Sequence, residues 1–209
     1  MSVTRLTISK DDVYNAYDKY VAGTHYAEDE GLLRNLFADE KLQKNTDVCI
    51  AALKLGLIDT LYSTNLNKGI ATTTVTTIAS IITDPVYKFD DRLLRGDVQL
   101  VQDITNDPRM KRNNFSLMTK YCKLHEHFIS KTDNLTIFDS VVAYNIHYYL
   151  PEHKGVKLSK YTPYRKCFDV RNYILWCEYV NQVIYDNDLQ DVENIRRKID
   201  WYIWGKHNG

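Results

Sequence analysis

Lys120 and Asp139 stand nineteen residues apart, the lysine late in an amphipathic segment from Ser116 to Leu124 and the aspartate directly ahead of Ser140-Val141-Val142. An amine near the end of one helix and a carboxylate opening the next can do covalent chemistry at carbon: the amine attacks, and the carboxylate steadies the positive charge that develops. On a sugar carbon, that is the equipment of a base-excising lyase. Leu117, Tyr121, Leu124 and Phe128 share one helical stripe, and Lys120 lies about 60° from its centre at 100° per residue. An amine at the edge of a buried face is partly desolvated, which favours its neutral, nucleophilic form. The plainer role for such a lysine is to cover apolar surface with its stem. Asp139 has a plain role too, as a helix N-cap, and the amides and dipole at that position favour a charged carboxylate.

The elements that must hold this pair read as helices. Ile50, Leu53, Leu57 and Leu61 repeat at helical spacing after the capping-type Asn45-Thr46-Asp47, and Val192, Ile195, Ile199 and Tyr202 do so near the end. The β-branched run from Ile70 to Ile78 suits a strand, yet Ala71, Val75, Ile78 and Ile82 keep a helical stripe, and the segment is read as helix. A helix starting at Gly96-Asp97-Val98 runs through Ile104 and stops at Asp107-Pro108, while Pro151 closes the one after Asp139. A looser stretch, Glu152 to Pro163, spaces out Lys154, Lys157 and Lys160.

The block Asn113-Asn114-Phe115-Ser116-Leu117-Met118-Thr119-Lys120, a turn at Thr132-Asp133-Asn134, the apolar Leu135-Thr136-Ile137-Phe138 and then Asp139 resembles the core of helix-hairpin-helix DNA glycosylases, in particular the 8-oxoguanine glycosylase fold. The segment Leu61-Tyr62-Ser63-Thr64-Asn65-Leu66-Asn67 is similar to the family stretch whose Asn or Gln fills the gap left by a flipped base, and the tail Arg196 to Lys206 is similar to the closing helix of small proteins sharing the Lys/Asp pattern. The resemblance implies an all-α fold of two helical lobes with a cleft between them. One lobe is residues 45–131, ending in the Lys120 helix; the other joins 1–44 to 132–209 and carries Asp139. It also implies a DNA glycosylase with associated AP lyase activity, in which Lys120 forms a Schiff base and Asp139 supports it.

Two departures from the family pattern shape the expected site. The hairpin has Asn114, Phe115, Ser116 and Leu117 where family members carry Gly-x-Gly, so close approach of bare backbone to a phosphate is lost. Anchoring is then expected from Arg109, Lys111, Arg112, Asn113, Asn114, Ser116 and Lys123, with Asn65 and Asn67 as further DNA contacts. Leu124 and Val141 occupy the base-recognising positions, so a preference for 8-oxoguanine does not carry over. Those two residues with Tyr144, Trp201 and Trp204 are the candidate base pocket, since aromatic side chains commonly stack on an extruded base.

Composition bounds the alternatives. The chain has 209 residues, enough for one core or two small lobes, and no apolar run of membrane-spanning length. The opening Met1-Ser2-Val3-Thr4-Arg5 starts no signal peptide, so an intracellular, cytoplasmic monomer is expected. Cysteines 49, 122, 167 and 177 lack C-x-x-C spacing, and His125 and His127 diverge on a helix. No metal or cofactor is expected, and a phosphate contact is the modest role left to these histidines. Net charge is zero, yet residues 109–171 hold twelve Lys/Arg against five Asp/Glu, leaving fifteen against twenty-two elsewhere. That asymmetry points to double-stranded DNA as partner, because phosphate neutralisation dominates such affinity. A catalytically silent nucleic-acid-binding protein of the same fold and a helical protein-interaction domain are the rival readings.

Overall fold

Asp47, read from the sequence as part of a cap, does cap a helix: its carboxylate accepts from the Cys49 and Ile50 amides at 2.7 and 3.2 Å and starts α4, Val48–Leu61. The computed structural model describes residues 6–37, 39–62, 64, 66, 73–150 and 167–208. Asn65, Asn67, Pro151 and the lysines at 154, 157 and 160 lie outside these residues. Among the described residues every regular element is helical, so the fold class is all-α. In chain order the other α-helices are α1 (Lys10–Tyr14), α2 (Ala16–Tyr20), α3 (His25–Phe37), α5 (Val75–Ile82), α6 (Phe89–Leu94), α7 (Gln99–Thr105), α8 (Phe115–His125), α9 (Ser140–Tyr149), α10 (Val170–Asp186) and α11 (Ile195–Asn208).

The chain separates into two compact units, Asp29–Leu135 and a second that joins the segment through Glu28 to the segment from Thr136 onward. The family resemblance implies lobes that change over at 45 and 131; the compact units change over at Asp29 and Leu135. Most of α3 packs with the Lys120 unit, where Leu33 is buried and Phe37 stacks on Phe128 at 5.8 Å between ring centroids. The loop to Leu135 is bonded to the same unit.

Within Asp29–Leu135, α4 packs on α5 and α8, and α7 packs on α8. The β-branched run resolves as helix from Val75, because Thr74 caps it by accepting the Thr77 amide at 3.1 Å and Ile78, Ile81 and Ile82 are buried. A π-helical turn, Glu126–Ser130, extends α8 and stops at Lys131, whose φ of 55° is left-handed. The carboxylate of Glu126, fully buried, holds the loop on the far side of Lys131. Its Oε1 accepts from the Thr132 hydroxyl at 3.1 Å and the Asn134 amide at 2.8 Å, and its Oε2 from the Leu135 amide at 2.9 Å and Lys123 Nζ at 3.2 Å. Lys123 also pairs with Asp133. The turn after the Lys120 helix is thus organised around a buried ion cluster.

The other unit is organised by aromatic rings. Phe138, Tyr149, Tyr173, Trp176, Tyr179 and Tyr202 are buried, and Tyr149 and Tyr179 lie 5.8 and 5.5 Å from Trp176 between ring centroids. Asp169 caps α10 through the Asn172 amide at 2.9 Å. Helix α11 packs on α1, α2 and α9. Gly205 inside α11 leaves the space that the Tyr20 ring occupies: a Cβ there would overlap the ring.

Candidate functional site

Lys120 lies in the Asp29–Leu135 unit and Asp139 in the other. Lys120 occupies the middle of α8 and is buried, with 8% of its surface exposed. Its Nζ stands 5.8 Å from the centroid of the Tyr62 ring, within cation–π range. The Tyr62 hydroxyl donates to Glu30 Oε1 at 3.2 Å, and Glu30 is itself buried. Burial of this lysine goes further than a position at the edge of an apolar stripe implies, and Tyr62, the C-cap of α4, reaches it from outside α8.

Asp139 is the N-cap of α9, its Oδ1 accepting from the Val141 and Val142 amides at 2.9 and 3.2 Å. It is buried as well, and the extended Leu135–Asp139 stretch that delivers it is buried throughout. Tyr173 fixes that stretch by donating from its hydroxyl to the Thr136 carbonyl at 3.1 Å.

The proposed anchoring cations divide sharply. Arg109 is gripped by carboxylates: its Nε and amide reach Asp107 Oδ1 at 2.9 and 2.8 Å, and its guanidinium meets Asp107 Oδ2 at 2.7 Å and Asp84 Oδ2 at 3.0 Å. These bonds hold the Asp107 carboxyl well below the usual carboxylate range, chiefly through Arg109. Burial, with Asp107 beside it, pushes the Tyr87 hydroxyl up to about 12. Lys123, expected to touch DNA, is instead a buried cation paired with Glu126 and Asp133; its position two turns after the hairpin turns it into the core. Lys111 is exposed and its amide donates to the Thr73 hydroxyl at 2.8 Å. Arg112 and Ser116 are half-buried, Asn113 is exposed and accepts the Phe115 amide at 2.9 Å, and Asn114 is buried, donating to the Arg112 carbonyl at 3.2 Å. Lys120 and Lys123 are buried, Arg109 is ion-paired, and the cations from 154 to 166 lie outside the described residues.

The candidate base pocket also separates. Leu124 is core in the Asp29–Leu135 unit, whereas Val141, Tyr144, Trp201 and Trp204 belong to the other. Tyr144 is exposed, and Val141 is half-buried beside Asp139. Trp201 packs on Tyr17 at 5.0 Å with the Arg197 guanidinium 5.6 Å from its ring, and Trp204 meets Tyr26 edge-on at 4.6 Å. Both tryptophans already have ring partners from the N-terminal segment.

A second polar cluster was not legible in the sequence. Asn45 accepts from Lys54 Nζ at 3.2 Å and from the Tyr121 hydroxyl, and its side-chain amide reaches Asp90 Oδ1 at 2.6 Å and His125 Nε2 at 2.7 Å. Burial lowers the Lys54 amine to about 8, against the opposing pull of Asp90. Burial, helped by the Lys54 charge, lowers His125 to about 3. His125 is thus a neutral core group at ordinary pH, which corrects the phosphate-contact reading. Among the described residues no group of His, Cys, Asp and Glu has the arrangement to hold a metal ion, and no helix is long and apolar enough to cross a membrane. The residues missed by sequence reasoning are Tyr62, Glu30, Glu126 and Asn45. Glu126 was hidden between two histidines, and Glu30 sits in an acidic run with no spacing that links it to Lys120.

Residues 11–132 match the HI_0787_N family model, described as an N-terminal domain, and the chain belongs to that family. The matched span includes Lys120 and ends before Asp139. No curated protein and no solved structure matches the chain.

Proposed function

We propose that this protein is a DNA glycosylase with lyase activity, working in a cleft between two helical lobes, in which Lys120 is the nucleophile and Asp139 the electrostatic partner. The observation that carries the reading is the placement of Lys120: a lysine buried in the middle of α8, with its Nζ 5.8 Å from the centroid of the Tyr62 ring. In the proposed reaction the Lys120 amine, once it has given up its proton, attacks C1′ of a damaged or modified nucleotide flipped from the duplex. The N–C1′ bond forms as the glycosidic bond breaks, and the base departs with that bond's electron pair. Asp139, held ready by the α9 amides, offsets the positive charge on the sugar. The departing base takes up the amine proton, opening of the sugar ring leaves a protonated imine, and loss of a C2′ proton then forms the C2′–C3′ double bond as the 3′ phosphate is expelled. The reading requires a bound nucleotide to reach both residues, one from each unit.

Borohydride reduction during incubation with an abasic-site duplex tests this directly. It should give a protein–DNA adduct mapping to Lys120, absent from Lys120→Ala; trapping that persists undiminished in that variant sinks the assignment. A panel of lesion and modified-base duplexes then identifies the base. One observation favours the rival, catalytically silent binder: the Gly-free hairpin is not compensated by Arg109 or Lys123, whose charges are already met by carboxylates. That reading predicts duplex binding without any adduct.

A further inference from the structure

We infer that Tyr62, tethered by Glu30, is the positioning residue for the Lys120 amine; this rests on the lyase reading above. All three residues belong to the Asp29–Leu135 unit but come from different elements: Glu30 from α3, Tyr62 from the end of α4 and Lys120 from α8. A free lysine side chain has four rotatable torsions and up to about 2 kcal/mol of rotamer entropy to lose. A nucleophile that samples those rotamers meets a sugar carbon in the right geometry only rarely. Here the Tyr62 face, 5.8 Å from Nζ, supplies a seat that keeps the end of the side chain on one side, by cation–π attraction while Nζ is protonated and by packing against the ring once the proton has left.

The seat is itself fixed at several points. Tyr62 is the C-cap residue of α4, its amide donating to the Ile58 carbonyl at 2.9 Å. Beyond it, Asp59 Oδ1 accepts from the Thr64 hydroxyl and from the Leu66 amide at 2.9 Å, folding the chain back over the last turn of α4. The far end of the ring is held by the hydroxyl, which donates to the buried Glu30 carboxylate at 3.2 Å. Backbone at one end and carboxylate at the other leave the ring little freedom to turn away. The tether distinguishes tyrosine from phenylalanine at this position, while the ring face is common to both. Tyr62 touches no reacting atom in this scheme; it acts through Lys120.

The test uses the full-length protein and two readouts that move in opposite directions. The first is reductive methylation of Lys120 by formaldehyde and cyanoborohydride, followed by peptide mass spectrometry and normalised to the exposed Lys111 and Lys131. Tyr62→Leu removes the seat and should raise Lys120 methylation about tenfold, whereas Tyr62→Phe keeps the face and should stay within about threefold of wild type. The second is single-turnover borohydride trapping on an abasic-site duplex, which should fall about tenfold in Tyr62→Leu at unchanged duplex affinity, since orientation and not binding is lost. Glu30→Gln loosens only the tether and should, like Tyr62→Phe, stay within about threefold of wild type; Tyr62→Met also removes the ring face and decides the matter if Tyr62→Leu does not fold. Unchanged Lys120 methylation in a folded Tyr62→Leu protein, or in Tyr62→Met where the former fails, overturns the inference. So does trapping that is undiminished in the same variant. If the wild-type protein forms no adduct at all, the lyase reading falls, and the methylation result alone decides whether Tyr62 seats the amine.

Discussion

The two units bury polarity in opposite ways. Asp29–Leu135 encloses charges and satisfies them in clusters, with Lys123 between Glu126 and Asp133, Lys54 on Asn45, and Lys120 against Tyr62. The unit that carries Asp139 is held mainly by rings, and its buried charge is placed at element ends and edges, with Asp139 at a cap and Arg197 on Asp200 one helical turn away. The difference teaches where each kind of residue can be placed. A carboxylate can be secured by one helix terminus, because the backbone supplies the donors locally. A buried amine has no such local device and must be surrounded by side chains from several elements.

The comparison breaks first at Glu126. Glu126→Ala strips Lys123, the Thr132 hydroxyl and the Asn134 and Leu135 amides of their acceptor, and urea unfolding should show a loss of about 3–5 kcal/mol, the usual cost of leaving a buried charge and its neighbours unmatched. A loss under about 1 kcal/mol would mean that the cluster is wetter than its burial indicates. In the ring-packed unit the corresponding change is steric: Gly205→Ala forces a methyl into the Tyr20 ring, and thermal or urea unfolding should register about 1–3 kcal/mol. Amide hydrogen exchange should locate that damage in α2 and α11.

Titration sharpens the contrast further. Lys54 has a folded-state value of about 8 against an ordinary 10.5, so between those limits the unfolded chain binds more protons than the native one. Stability from this group therefore rises with pH across that window, with a slope of at most about 1.4 kcal/mol per pH unit. The difference in urea stability between wild type and Lys54→Met should carry this slope from about pH 8 to 10.5 and be flat below it; a flat difference throughout would contradict the burial of a charged amine. The smallest stability effect belongs to Asp139→Asn, which keeps a competent cap and should cost under about 1 kcal/mol. Activity should nonetheless fall by orders of magnitude, because the charge that supports the sugar cation is gone. A large stability loss with normal activity per folded molecule would leave Asp139 as a cap alone.

Sequence by itself determined the local features: the all-α class, the Asp47 and Asp139 caps, and the stop at Asp107. Each depends on residues within one or two turns of each other, where spacing and backbone chemistry are decisive. The buried stripe of α8 was legible for the same reason, and Lys120 could be placed at its edge. Tertiary structure alone decided the fate of the charges. Lys123 and Lys120 sit three residues apart on one helix, yet one is locked between two carboxylates and the other rests on a ring. Arg109 looked like a phosphate anchor, but Asp107 beside it and Asp84, twenty-five residues away, both close on its guanidinium. Glu30 and Tyr62 meet across thirty-two residues, and Asn45 gathers partners from α4, α6 and α8. No periodicity encodes such meetings: a charge is satisfied by whatever the packed elements bring within about 3 Å of it, and that is settled only when the helices are docked.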